Sequence, residues 1–237
     1  MAYVAIERDG KPGIGSAFHV GDGIFITARH VLENTTVTEI RMTDTRLFYR
    51  SDLYPKNENG SYTIDSSSPR ICLDPKGLVR MASGPYFHPD QSVDIAAFRA
   101  DGLAEGAHYI PLGTHLDDWI GNGDFELSDA VILGYPPIPF SKKPVLIAVR
   151  AEVNAVVDLH STKAPVHFIF SAVPRGGFSG GVAISEYGFA LGAITQSLLS
   201  DDRPPELGFF AAASIQYIYE CLDHHKILPS GQWDGEL

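Results

Sequence analysis

Residues 174–184 read PRGGFSGGVAI and set one serine, Ser179, among the glycines Gly176, Gly177, Gly180 and Gly181. Glycine and serine gather in flexible turns for conformational reasons alone. The stretch Gly177-Phe178-Ser179-Gly180-Gly181 also satisfies G-x-S-x-G, a pattern shared by nucleophilic serines on unrelated folds. What surrounds this stretch decides among a turn filler, a strand-to-helix nucleophile and a nucleophile between strands.

A nucleophile elbow of the α/β-hydrolase kind needs a helix directly after the serine, with the acid and then the histidine downstream. Asp202 and His224 follow in that order. The residues after Ser179, however, are GGVAISEYGFALGAIT, Gly-rich and β-branched, which disfavours a helix and suits strands. The chain before Ser179 has no alternation of strand and helix either.

Short apolar runs between turn signals extend in both directions. GSAFHV (15–20) and GIFITARH (23–30) flank Asp22-Gly23, a strong hairpin signal. VTEIRM (37–42), DIAAFRA (94–100), DAVILGY (129–135), PVLIAVRAEVNAVV (144–157), VHFIFSAV (166–173), GVAIS (181–185), FALGAITQS (189–197) and GFFAAA (208–213) are further strands. One helix closes the chain: Ser214 stands as its cap, and Ile215, Ile218 and Leu222 share a face ahead of His224 and His225. Residues 56–68, 114–129 and 198–207 read as loops, the second joining two halves, and no periodic pattern continues past Lys226. The fold class expected is all-β.

Composition narrows the function. At 237 residues with 44% hydrophobic and 20% charged residues, the chain can bury a full core without staples. No apolar run is long enough for a membrane helix, and the first residues lack the pattern of a secretory signal. Cys72 and Cys221 are too few for a disulfide framework or a four-ligand zinc site, and the nine histidines contain no H-x-x-x-H pair. No metal or other cofactor is expected, and a cytoplasmic location is. A net charge of −11 argues against nucleic acid and anionic membrane as main partners.

His30, Asp94 and Ser179 are each unremarkable alone, as a strand-end histidine, a turn aspartate and a turn serine. Together, Thr27-Ala28-Arg29-His30, Val93-Asp94-Ile95-Ala96 and Gly177-Phe178-Ser179-Gly180-Gly181 resemble the three signature segments of the trypsin-like (chymotrypsin-fold) serine peptidases, in that family's order. GSAFHVGDGIFITARHVLE, VILGYP, LGAITQS and LGFFAAASIQYIYECL extend the resemblance, with the flavour of HtrA-like and other bacterial members. The resemblance implies two packed antiparallel β-barrels with a C-terminal helix. Residues 1–115 would form the first barrel, with the histidine and aspartate. Residues 125–225 would form the second, with the serine and the helix, and 226–237 a tail.

It also implies a serine endopeptidase acting on protein or peptide substrates through an acyl-enzyme. His30 would take the proton of Ser179 and return it to the leaving amine. Asp94 would hold the imidazole tautomer, and the N–H groups of Gly177 and Ser179 would form the oxyanion hole. Thr195 would donate its hydroxyl to Asp94 from the substrate-pairing strand. Val173, Ser197 and Gly208 would line the pocket for the residue before the scissile bond, favouring uncharged apolar side chains. A loop with Asp201, Asp202 and Glu206 bordering that pocket would favour basic ones instead.

Two departures from the family pattern stand out. Phe178 replaces the aspartate that many secreted members carry before the nucleophile, and no Ile-Val-Gly-Gly activation sequence is present, so N-terminal cleavage is not expected to switch activity on. Arg29 replaces a small residue before the histidine, and a solvated side chain is expected of it. Regulation is left to loops, oligomerisation or a separate protein partner. The alternative is a latent fold of this kind that serves as a protein-binding module.

Overall fold

Asp22 and Gly23 both take positive φ, 48° and 75°, and Gly21 pairs with Ile24 across them. This is the tight two-residue turn that the Asp-Gly pair favours, because its twist matches that of the flanking strands. The computed structural model describes residues 1–42, 77–103, 107–113, 126–159, 164–172, 176–198 and 209–232. Of the expected loops, 56–68, 114–125 and 199–207 lie outside the described residues.

Twelve strands are described. Strands β1 (Ala2–Arg8), β2 (Lys11–Gly21), β3 (Ile24–Thr27), β4 (Thr36–Met42), β5 (Leu78–Phe87) and β6 (Ala96–Asp101) close into one antiparallel barrel, in the order β1-β2-β3-β6-β5-β4. Strands β7 (Asp129–Gly134), β8 (Ile147–Leu159), β9 (Ala164–Phe170), β10 (Val182–Ser185), β11 (Ala190–Leu198) and β12 (Phe209–Ser214) close into a second, in the order β10-β11-β12-β9-β8-β7. A helical turn, α1 (Arg29–Leu32), follows β3, and helix α2 (Ile215–His224) follows β12. Among the described residues no helix is long and apolar enough to cross a membrane.

Strand β3 is apolar over Ile24, Phe25 and Ile26 because both of its faces are covered. Phe25 points into the first barrel and stacks on Phe98, with ring centroids 5.3 Å apart. Its neighbours Ile24 and Ile26 join Phe18, Ile95 and Ala97 in the apolar cluster shared with the second barrel. Each such buried side chain contributes about 1.5–3 kcal/mol of hydrophobic stabilisation, so the seam between the barrels is itself a core.

Strands β1 and β5 are additions to the sequence reading. In β1 the first three residues, Ala2, Tyr3 and Val4, are all buried, so no alternation announces the strand. In β5 the Gly84-Pro85 step reads as a turn, yet the strand persists with register shifts against β6 on either side of Ser83. Past Lys226, Ser230–Gln232 form a single 3₁₀ turn. The buried Gln232 amide donates to Val20 O at 2.6 Å and Ile110 O at 2.9 Å, and accepts from Leu112 N–H at 2.8 Å. One side chain thus takes the place of a strand, something no periodicity reveals.

Candidate active site

His30 does not end a strand; it lies in α1, directly after β3. Val31 and Leu32 are buried, and Val31 packs where a side chain on Gly15 would otherwise stand. The guanidinium of Arg8 donates to the carbonyls of His30 and Glu33 and so closes the turn from β1. The imidazole stays about half exposed.

Asp94 sits in the connection between β5 and β6 and holds His30 twice. Its Oδ1 accepts the His30 backbone N–H at 2.9 Å, and its Oδ2 lies 2.7 Å from Nδ1. The Asp94 carbonyl accepts the N–H of Arg29 at 3.2 Å. With the carboxylate accepting at both points, Nδ1 carries the proton and Nε2 presents a free lone pair. This is the tautomer a general base requires.

Arg29 corrects an expectation: its side chain is not solvated. It is only 12% exposed and lies over the Phe87 ring, with Cζ 4.9 Å from the centroid. It donates to Glu33 Oε1 at 3.0 Å, His88 O at 3.1 Å and Asp90 O at 3.5 Å. It therefore ties α1 to the segment that delivers Asp94. Helix α2 braces the same segment from the second barrel. Glu220 Oε2 lies 3.1 Å from the buried His88 Nε2, and His225 Nε2–H donates to Phe87 O at 2.8 Å. Cys221, buried alongside, donates weakly to Tyr86 O at 3.5 Å, and burial pushes its thiol up to about 12.

Ser179 follows β9 in the turn that leads into β10, and it is half buried. Phe178 is fully buried in the second barrel's core, edge-on to Phe210 at 5.1 Å, and Gly134 leaves the space it occupies. Gly177 takes φ of 90°, and a Cβ there would stand 2.5 Å from Tyr135 O, so only glycine fits. Gly180 takes φ of 79°, and a Cβ there would overlap Ser16 O and Thr27 Oγ1 and stand 2.9 Å from the N of Ala28, two residues before His30. The serine turn of one barrel is thereby seated against the histidine-bearing end of the other. Among the described residues no acceptor engages the N–H of Gly177 or of Ser179. The Ser179 hydroxyl makes no hydrogen bond to His30 in this structure; such contacts are commonly long before substrate binds.

The expected bond from Thr195 to Asp94 is not made. Thr195 stands at the bulge in β11 between Ile194 and Gln196, and its buried hydroxyl has no hydrogen-bond partner among the described residues. The bulge displaces the side chain from the direction that regular alternation would give it. Ser214 holds the N-cap position of α2, but its hydroxyl is buried and makes no capping bond. Val173 and Gly208 lie outside the described residues, as do Asp201, Asp202 and Glu206; Ser197 belongs to β11, its backbone paired with Phe210.

Two residues that sequence reading passed over belong to this neighbourhood. Ser16 contacts the serine turn directly. His167 of β9 is buried with an unpartnered Nδ1; burial lowers its pKa while the nearby Asp94 charge works against that shift. Among the described residues no three histidine, cysteine or acidic side chains cluster as a metal's ligands would.

No family model matches the chain, and no curated protein matches it. Solved structures do. The active form of the Rv3671c protease from M. tuberculosis superposes with a TM-score of 0.60 at 16% identity, covering 97% of this chain and 81% of that one. The inactive form of the same protease gives 0.54 at 16% identity, over 94% and 87%. The HtrA-type protease AlgW with a tripeptide gives 0.57 at 15% identity, over 94% of this chain and 60% of AlgW. With two closed six-stranded barrels, the chain has the fold of the trypsin-like serine proteases.

Proposed function

We propose that this protein is a serine endopeptidase working by acyl transfer, with Ser179 as nucleophile, His30 as base and then acid, and Asp94 as the group that orients the imidazole. The observation that carries the reading is the double hold of Asp94 on His30, which leaves Nε2 as acceptor at the seam where the Ser179 turn is seated.

In the first step His30 Nε2 takes the hydroxyl proton as Ser179 Oγ attacks the substrate carbonyl carbon. The developing oxyanion meets the N–H groups of Gly177 and Ser179, and Asp94 stabilises the imidazolium. His30 then protonates the leaving amine as the C–N bond breaks. Water, deprotonated by His30, attacks the acyl carbon; the bond to Ser179 Oγ breaks, His30 returns the proton to Oγ, and the acid is released. Residues 1–115 supply base and orienter in this scheme, and residues 125–225 the nucleophile and oxyanion donors. For the residue before the scissile bond we propose an uncharged apolar side chain; a peptide-library profile dominated by Arg or Lys would reverse that part.

The absence of a cleavage switch is part of the proposal. Phe178 supports it, because the turn is anchored by an aromatic ring in the barrel core, where an ion pair to a freed N-terminus has no place. The test is labelling by a fluorophosphonate probe of wild type, Ser179→Ala and His30→Ala. Labelling at Ser179 that depends on His30 supports the peptidase. A folded wild type that never labels would overturn the peptidase reading and favour the latent, protein-binding one.

A further inference from the structure

Ser16, in the middle of β2, is completely buried, and four hydrogen bonds meet on it. Its hydroxyl donates to Gly177 O at 2.7 Å and accepts the N–H of Tyr135 at 2.9 Å. Its N–H donates to Ser179 O at 2.8 Å, and its carbonyl accepts the Thr27 hydroxyl at 2.7 Å. Three pieces of chain converge here: a strand of the first barrel, the segment after β7, and the serine turn.

The pattern of partners is specific. The N–H of Ser179 belongs to the peptide unit joining 178 to 179, whose carbonyl, Phe178 O, accepts the N–H of Gly181 at 2.7 Å. The peptide unit before it ends in Gly177 O, held by the Ser16 hydroxyl. The unit after it carries Ser179 O, held by the Ser16 N–H. Because peptide units are planar and turn as rigid plates, fixing the plates on either side fixes the direction of the N–H between them. The Gly177–Phe178 plate also separates the two N–H groups facing the reaction, and Gly177 is a residue whose backbone could otherwise swing freely.

We infer that Ser16 is a positioning residue of the oxyanion site: its hydroxyl, reaching across from the first barrel, fixes the Gly177–Phe178 peptide unit and with it the direction of the Ser179 N–H. This rests on the peptidase reading above. A hydroxyl is suited to the place because it donates to a carbonyl and accepts an N–H at once, and Ser16 itself is fully buried. Alanine removes both bonds and leaves the backbone bond to Ser179 O intact. The turn stays docked while the plate between the two donors loosens. Such a change acts on the transition state, where the oxyanion forms, more than on substrate binding.

The experiment compares wild type with Ser16→Ala. It reads the rate of fluorophosphonate labelling at Ser179, kcat and KM on a peptide substrate, thermal midpoint, and the far-downfield proton resonance of His30 Nδ1–H. Folded Ser16→Ala is expected to keep the His30 resonance and to hold KM within about twofold, with kcat and labelling rate down about 10- to 100-fold. If the alanine variant does not fold, Ser16→Cys, of similar size but a weaker donor, takes its place, and slower labelling with the resonance retained is again expected. A folded variant that labels at the wild-type rate overturns the inference and leaves the peptidase reading standing. Loss of the His30 resonance also overturns it, since the effect would then run through the base. A wild type that never labels ends both.

Discussion

Replacing Asp94 by asparagine separates catalysis from folding with a change of one atom type. Asparagine has one oxygen to offer, and the backbone N–H of His30, now 2.9 Å from Oδ1, can keep it. The amide NH₂ then faces Nδ1, where the carboxylate oxygen stood at 2.7 Å. Two donors cannot share that contact, so Nδ1 becomes the acceptor and the proton moves to Nε2, where the serine needs a lone pair. On the proposed mechanism the base is then disabled, and the imidazolium loses its counter-charge. A tautomer change of this kind costs about 10⁴ in kcat, or about 5.4 kcal/mol of transition-state stabilisation. The folding cost is far smaller. Both contacts keep a hydrogen bond, the second with its direction reversed, and the imidazole is 44% exposed, so solvent screens the lost charge; about 1 kcal/mol or less is expected. For a chain of this length that is a shift in Tm of about 2–4 °C. The assay is kcat/KM on a peptide substrate beside a thermal melt, with nitrogen NMR of the His30 ring to follow the proton. A folded Asp94→Asn variant that retains more than about a tenth of wild-type kcat/KM would refute the assigned role of the carboxylate.

Gly180→Ala would drive a methyl into Ser16 O and Thr27 Oγ1 from a left-handed backbone, so the expected loss is about 3 kcal/mol or more, read by urea unfolding; an unchanged midpoint would mean the barrels do not meet this way. Burial lowers the pKa of both His19 and His167 from the ordinary 6.5. The unfolded chain therefore binds more protons below that pH, and their contribution is complete above about 6.5 and lost as pH falls. Unfolding midpoints measured from pH 8 to pH 5 should drop through that window, and replacing both histidines with glutamine should flatten the curve. Arg29→Ala removes three hydrogen bonds and a ring contact from a mostly buried side chain, an expected loss of about 2–3 kcal/mol. Arg29→Lys should recover only a fraction, because an ammonium cannot reproduce the planar fork; equal melts for the two variants would count against that reading.

Much of the barrel architecture was legible one segment at a time. The Asp22-Gly23 turn announces itself because two successive positive φ values need residues of that kind, and the strands after Ser179 because β-branched runs make poor helices. Strand β5 was not legible, since a Gly-Pro step suggests a turn and only pairing with β6 keeps the chain extended through it. Arg29 was misread for a related reason: nothing adjacent in sequence shows that Phe87, His88 and Asp90 will surround it. The missing Thr195–Asp94 bond was not legible either, since the bulge at Thr195 leaves no mark in the residue pattern.

By itself the sequence determined the fold class and the residues worth testing, because strand periodicity, turn chemistry and the order of His30, Asp94 and Ser179 are properties of short segments. Only the tertiary structure decided how those segments meet: the two bonds from Asp94 to His30, the seating of Gly180 against Thr27 and Ala28, and the joint made by Ser16. These contacts join residues distant in the chain. The Asp94–His30 pair is set by closure of the first barrel, and the Gly180 and Ser16 contacts by the packing of β2 and β3 against the second.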